Sequence, residues 1–191
     1  MKHLKTLLLL TAALCLIVSC GRSGSSVKGE KKLKKGEAEL VTLPFDVTIL
    51  GNYTYFGPDT LPNPKCVEPL AAWRVIVDGN GTGTPVGDFI AHFDFCGDSL
   101  SNYGNSYAYL AFSDGDTIFV SAAGRVLDGR LEDHPAFVTS YWKDTNTILG
   151  GTGKYEGAKG EFVGDDYNSS EDPYSHHHWA GTITMMKQKT E

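Results

Sequence analysis

The chain has 191 residues, of which 41% are hydrophobic and 21% are charged, and its formal net charge at pH 7 is −6. Residues 1–37 contain eight basic and two acidic side chains, so the remaining 154 residues carry a net charge of −12. A surface this acidic repels the phosphate backbone, which excludes nucleic acid as a partner. A length of 154 residues is ordinary for one domain with a hydrophobic core.

The first twenty residues have the pattern of a secretion signal. Lys2 and Lys5 precede an apolar run over residues 7–18. This run is shorter than the roughly 20 apolar residues that span a bilayer, and it fits the apolar region of a signal peptide. The run ends in Ile17-Val18-Ser19-Cys20, which resembles the lipobox of bacterial lipoproteins.

That resemblance implies that residues 1–19 are removed and that Cys20, bearing acyl chains such as palmitate, becomes the first residue of the mature protein. Two or more chains give stable anchoring, so the membrane is an expected partner through this lipid anchor. The expected location is the bacterial cell envelope, at the outer membrane. The alternative is an ordinary signal peptide in which a cysteine occurs at this position by chance.

Residues 20–37 are rich in Gly, Ser and Lys and show no apolar period. We interpret them as a flexible tether, with five lysines that either contact anionic headgroups or are simply solvated. Residues 38–191 then form the folded domain.

This domain is predicted to be all-β. Apolar and polar residues alternate in short segments, and no segment has the 3.6-residue period of an amphipathic helix. Asp114-Gly115-Asp116 is a turn signal that predicts a hairpin between its flanking strands. About eight short strands favour a closed antiparallel barrel, with a β-sandwich as the alternative. The predicted strands cover residues 45–49, 73–77, 89–96, 106–112, 117–123, 136–143 (with an extension to 149), 160–164 and 178–186.

The domain contains two cysteines, Cys66 and Cys96. An even number of cysteines in an exported domain permits a disulfide, and we favour that interpretation. The alternative is two buried thiols.

Residues 150–160 read Gly-Gly-Thr-Gly-Lys-Tyr-Glu-Gly-Ala-Lys-Gly. The glycines permit a sharp chain reversal, and Tyr155 is placed to turn inward as an aromatic plug. This segment resembles the GGTG-[KR]-[FY]-x-G-A-x-G motif of allene oxide cyclases and dirigent proteins. Residues 81–89 and 179–183 also resemble segments of proteins with this type of barrel, but more weakly. The resemblance implies an eight-stranded, calycin-type antiparallel barrel, and it transfers no catalytic residue.

Two groups of polar residues are candidate sites. His92 and Asp94 share one face of a predicted strand, and with Tyr107 and Tyr109 they would bind a ligand if that face is lumenal. His176 and His178 also share a face and would hold a metal if a third ligand approached them. No cofactor-binding motif is found.

Three functions remain open at this level. The first is a lipid-anchored, non-catalytic barrel that binds a small apolar ligand or a partner protein of unknown identity. The second is an isomerase or cyclase-like enzyme acting in the lumen, and the third is a purely structural envelope protein. An open lumen with convergent polar groups would favour the first two.

Overall fold

The computed structural model describes residues 38–188. Cys20, the expected signal peptide and the expected tether lie outside the described residues. In the described part of the chain, no helix is both long and apolar enough to cross a membrane.

Nearly all of the regular secondary structure in the described chain is β. The elements in chain order are β1 (Ala38–Gly57), β2 (Trp73–Thr84), β3 (Phe89–Gly97), β4 (Asn102–Ala111), β5 (Thr117–Ala122), β6 (Gly124–Arg125), β7 (Leu127–Asp128), β8 (Val138–Trp142), β9 (Thr145–Gly151), a 3-10 turn (Gly153–Tyr155), β10 (Lys159–Gly164), β11 (Asp166–Ser169) and β12 (Ser175–Gln188).

Eight of these strands form a closed antiparallel barrel in the order β1-β2-β3-β4-β5-β9-β10-β12. The barrel closes because β12 pairs with β1 over fourteen positions, from Ala38 opposite Gln188 to Gly51 opposite Ser175. The predicted barrel is therefore confirmed, and the β-sandwich alternative is wrong. Closure removes the exposed sheet edges that an open sheet would leave.

The predicted segment at 136–143 is not a barrel strand. It corresponds to β8, which pairs with β11 and β7 at one end of the barrel. The barrel strand is β9, which pairs with β5 and β10. Lys143 and Asp144 separate β8 from β9, and Asp165 likewise separates β10 from β11. Both interruptions occur at the same end of the lumen, beside the polar groups described below.

One half of the lumen is packed solid. Phe45 and Phe162 contact each other with ring centroids 5.3 Å apart, and Phe112 packs on Tyr155 at 4.8 Å. Tyr155 turns inward from the glycine-rich segment, where Gly153 and Gly157 adopt positive φ angles of 57° and 71°. A side chain is strained in that conformation, so these glycines permit the reversal that inserts the tyrosine.

Candidate functional site

The other half of the lumen contains a cavity of about 450 Å³. This volume lies within the range of roughly 300–1,000 Å³ typical of small-molecule sites. Phe56 and Ser101 lie at its outer end and are exposed, so the cavity reaches solvent there. All three tryptophans of the chain, Trp73, Trp142 and Trp179, line the cavity.

An aromatic band crosses four neighbouring strands near the outer end. Phe56 of β1 stacks on Trp73 of β2 at 5.7 Å between ring centroids. Trp73 meets Phe95 of β3 edge-on at 6.0 Å, and Phe95 packs on Tyr103 of β4 at 5.2 Å. Because aromatic pairs add packing energy beyond the area they bury, the band forms a firm apolar wall.

A second aromatic group separates the cavity from the packed half. Trp179 stacks on Phe162 at 4.7 Å and contacts Phe93 at 5.4 Å. Trp142 approaches His177 edge-on at 5.7 Å. The deep end of the cavity is thus bounded by indole rings and one imidazole.

The deep end also holds a buried cluster of polar side chains on β11 and β12. The Asp166 carboxylate accepts hydrogen bonds from the Trp179 indole N–H at 3.3 Å and from the His178 backbone N–H at 3.2 Å. His177 Nε2 lies 2.9 Å from Ser175 Oγ. His177 Nδ1 lies 3.1 Å from Asp166 Oδ2, although the angle is not that of a hydrogen bond. Asp166, Ser175 and His177 are all buried.

A second carboxyl group, Asp144, projects into the lumen between β8 and β9. Its side chain is only 4% exposed. Burial raises its pKa to about 7, and the nearby charge of Asp166 adds to that effect. A carboxyl group that titrates near neutrality inside a cavity is typical of functional sites.

Two glycines make room for these polar groups. A Cβ atom on Gly124 would lie 1.8 Å from Asp144 Oδ1 and 3.1 Å from the Tyr103 hydroxyl. A Cβ atom on Gly51 would lie 2.5 Å from Ser175 Oγ. Side chains at Gly51 and Gly124 would therefore collide with the polar cluster.

Several polar atoms around the cavity lack hydrogen-bond partners. Among the described residues, four buried side-chain atoms are unpaired, and each belongs to a residue that lines the cavity: the Tyr103 hydroxyl, Asp144 Oδ1, Asn146 Oδ1 and His177 Nδ1. A buried unpaired polar group costs about 1–3 kcal/mol, so their convergence in one place requires an explanation.

The residues expected to bind a ligand do not line the cavity. The β3 side chains that face inward are Phe89, Ala91, Phe93 and Phe95, so His92 and Asp94 lie on the outside of the barrel. The condition for their expected role, that their face is the lumenal one, is therefore not met. His92 Nδ1 is 2.7 Å from Asp78 Oδ1, and the His92 ring stacks on the outward-facing ring of Tyr109 at 4.9 Å.

The fourth candidate ligand residue, Tyr107, is 53% exposed and also lies outside the lumen. Asp94 instead forms a bidentate ion pair with Arg74 of the neighbouring strand β2, at 2.8 and 2.6 Å. The loop over residues 58–72 is held against these two residues, because its Asp59 pairs with Arg74 at 3.0 Å and its Lys65 donates to the Asp94 backbone carbonyl at 2.7 Å. The structure contains a disulfide between Cys66 of that loop and Cys96 of β3.

The two histidines considered as metal ligands also face outward. His176 Nε2 lies 3.0 Å from Asp172 Oδ2, and His178 Nε2 lies 3.2 Å from Asp46 Oδ1. Within residues 38–188, no group of three His, Cys, Asp or Glu side chains could hold a metal ion. It is the middle histidine of the run, His177, that enters the lumen.

Comparison with known proteins gives structural neighbours only. No protein-family model matches the chain. No curated protein matches it either. The pterocarpan synthase dirigent protein GePTS1 aligns with a TM-score of 0.44 and 17% identity, over 86% of this chain and 100% of its own. The pterocarpan synthase dirigent protein PsPTS1 aligns with a TM-score of 0.39 and 15% identity, over 80% of this chain and 97% of its own. The assignment of the fold rests on the strand pairing described above.

Proposed function

We propose that the domain binds a small, predominantly apolar molecule in the outer half of its barrel. The observation that carries this proposal is the cavity of about 450 Å³, with aromatic walls and a buried polar end. A purely structural barrel would gain stability by filling this space with side chains, as the other half of the lumen does. The convergent polar atoms at one end would orient the bound molecule.

Substitution of a small residue in the cavity wall tests the proposal. Ala122 on β5 lines the cavity, and Ala122→Phe should weaken binding of the apolar dye N-phenyl-1-naphthylamine by at least about tenfold, because the added ring occupies the site. Dye fluorescence, which increases in apolar surroundings, measures the affinity.

The matched control is Ser121→Phe, which adds the same ring to the outside of the same strand. This variant should bind the dye as the wild type does. Failure of the wild type to bind the dye, or equal binding by both variants, would contradict the proposal.

Proton-transfer catalysis in the lumen is a second candidate function. It is favoured by the Asp144 carboxyl, whose pKa of about 7 allows it both to give and to take a proton at neutral pH. Asp166, whose charge acts on Asp144, lies 3.1 Å from His177. The two functions differ in one respect: an enzyme would convert a bound molecule, and Asp144→Asn would then abolish conversion while binding persisted.

We further propose that the domain is held at the bacterial envelope by a lipid on Cys20. The support is the sequence resemblance to a lipobox and the basic segment before an acidic domain. Cys20→Ala should move the protein from the membrane fraction to the soluble fraction, since the acyl chains supply the anchor. Cys15→Ala, within the apolar run, is the control and should stay in the membrane fraction. Membrane retention of the Cys20 variant would refute the anchor.

A further inference from the structure

We propose that the cavity selects an organic cation, with a protonated amine beside Asp144 and an apolar body along the aromatic wall. This inference rests on the lumen being the binding site and specifies the class of ligand that it takes.

The charges around the cavity favour a cation. Two carboxyl groups, Asp144 and Asp166, are part of its lining, and none of its described lining residues is Lys or Arg. Asp166 is held by the Trp179 indole and the His178 backbone, whereas Asp144 forms no ion pair within the described part of the chain. The adjacent Lys143 instead approaches Asp165, at 3.4 Å. Asp144 is therefore the carboxyl group available to a ligand.

Two of the four unpaired atoms are acceptors, and they call for a ligand that donates hydrogen bonds. Asn146 Nδ2 donates to the Asp144 backbone carbonyl at 3.4 Å, which leaves the acceptor Oδ1 of the amide unpaired. Asp144 Oδ1 is a second unpaired acceptor. An ammonium group carries three donors and no acceptor, so it matches both atoms. A ligand carboxylate would bring further acceptors and a repelling charge.

The aromatic lining suits the same ligand. Trp142, Trp179 and Tyr103 are among the residues that line the cavity with Asp144. The faces of aromatic rings attract cations, most strongly when water is excluded. The remainder of the ligand would contact apolar side chains such as Val75 and Val120, which are fully buried.

The titratable groups in the cavity wall also favour a bound cation. The titratable residues that line the cavity together with Asp144 are Tyr53, Tyr103, Asp166 and His177, on β1, β4, β11 and β12, and none of them is a permanent cation. Burial and Asp166 raise the pKa of the Asp144 carboxyl to about 7. A bound ammonium would offset both effects and restore the ionised carboxylate.

Three probes of nearly equal shape test the inference: 4-phenylbutylamine, 4-phenylbutanol and 4-phenylbutyrate. They are titrated at pH 8 against wild-type protein in competition with N-phenyl-1-naphthylamine. We expect the amine to bind about tenfold or more tightly than the alcohol, because a hydrogen bond to a charged group is stronger than a neutral one, and the carboxylate to bind most weakly.

Asp144→Asn should remove most of the tenfold preference for the amine. The exposed Asp88 provides the matched control, and Asp88→Asn should retain the preference. Equal binding of amine and alcohol by the wild type, or an undiminished preference for the amine in Asp144→Asn, would overturn the inference. If the dye still binds in that case, the proposal that the lumen is a binding site stands. If neither the dye nor any probe binds, the proposed function and this inference both fail.

Discussion

Replacement of Asp144 by asparagine is expected to stabilise the protein at pH 8, with a gain that shrinks as the pH falls. The wild-type carboxyl is 4% exposed, and burial followed by the charge of Asp166 raises its pKa to about 7 from the ordinary value of 3.8. One pKa unit corresponds to about 1.4 kcal/mol, so the full effect amounts to roughly 4 kcal/mol at most. Asparagine has nearly the same shape and no charge to bury.

The direction of the pH dependence follows from proton linkage. Because the folded pKa of Asp144 lies above its unfolded value, folding takes up a proton between these two values. The stability contribution of this group is therefore fully present below about pH 4 and is lost as the pH rises through about 7. Asp144→Asn lacks this titrating group, so its stability relative to the wild type should increase as the pH rises from about 4 to about 7.

Urea unfolding of the wild type and Asp144→Asn at several pH values between 4 and 8 measures the effect. The difference between the two proteins isolates the group, because other titrations are common to both. Asp88→Asn, at an exposed position, should show no such pH-dependent difference. A pH-independent difference for Asp144→Asn, or a variant less stable than the wild type at pH 8, would contradict the assignment of a buried, uncompensated carboxyl group.

Arg74→Ala is expected to destabilise the folded domain by about 3 kcal/mol. The guanidinium group is buried under the loop over residues 58–72 and forms ion pairs with Asp94 at 2.6 Å and Asp59 at 3.0 Å. Burial alone would raise the pKa of the Asp94 carboxyl, but the hydrogen bonds from Arg74 and the charge of Lys65 hold it below its usual value. Loss of the arginine leaves Asp94 buried with only Lys65 to compensate it.

The control for Arg74→Ala is Lys143→Ala, which removes an exposed ion pair with Asp165. Both of these side chains are more than 40% exposed, so this loss should be less than about 1 kcal/mol. Urea unfolding at pH 7 compares the two variants. Equal destabilisation of the two variants would contradict the conclusion that the ion pairs of Arg74 with Asp59 and Asp94 stabilise the domain.

The architecture of the barrel was predictable from the sequence because period-two alternation is a local signal. Val47 and Ile49 on β1, or Val75 and Val77 on β2, define the inner face of each strand directly. The glycine-rich segment with Tyr155 was also readable, since positive φ angles require particular residues. The short strands β6, β7 and β11 were not predicted, because segments of two to four residues carry too little pattern.

The site was harder to predict, because the polar residues that enter the lumen are marked by their alternation in phase with the apolar core residues and not by their closeness to one another in the sequence. Asp144, between β8 and β9, and Asn146 of β9 are in phase with the buried Trp142 and Ile148. In the same way, Ser175 and His177 of β12 are in phase with Trp179 and Ile183. Polar residues that share the apolar face of a barrel strand point into the lumen. The two-residue spacing that places them there can be seen in the sequence.

His92 and Asp94 illustrate the opposite case. They are out of phase with Phe89, Ala91, Phe93 and Phe95, which the structure shows to face the lumen. Asp94 is buried all the same, because the loop over residues 58–72 covers it from outside. That contact is long-range, and no local pattern in β3 predicts it.

The most direct test of lumenal binding is to follow the three indole N–H signals in a ¹H–¹⁵N NMR spectrum during titration with 4-phenylbutylamine. All three tryptophans line the cavity, and the Trp179 indole donates to Asp166 at its deep end. We predict saturable shifts of the Trp142 and Trp179 signals in the wild type, and greatly reduced shifts in Ala122→Phe. Saturable binding that leaves all three indole signals in place, or equal shifts in Ala122→Phe, would contradict the account.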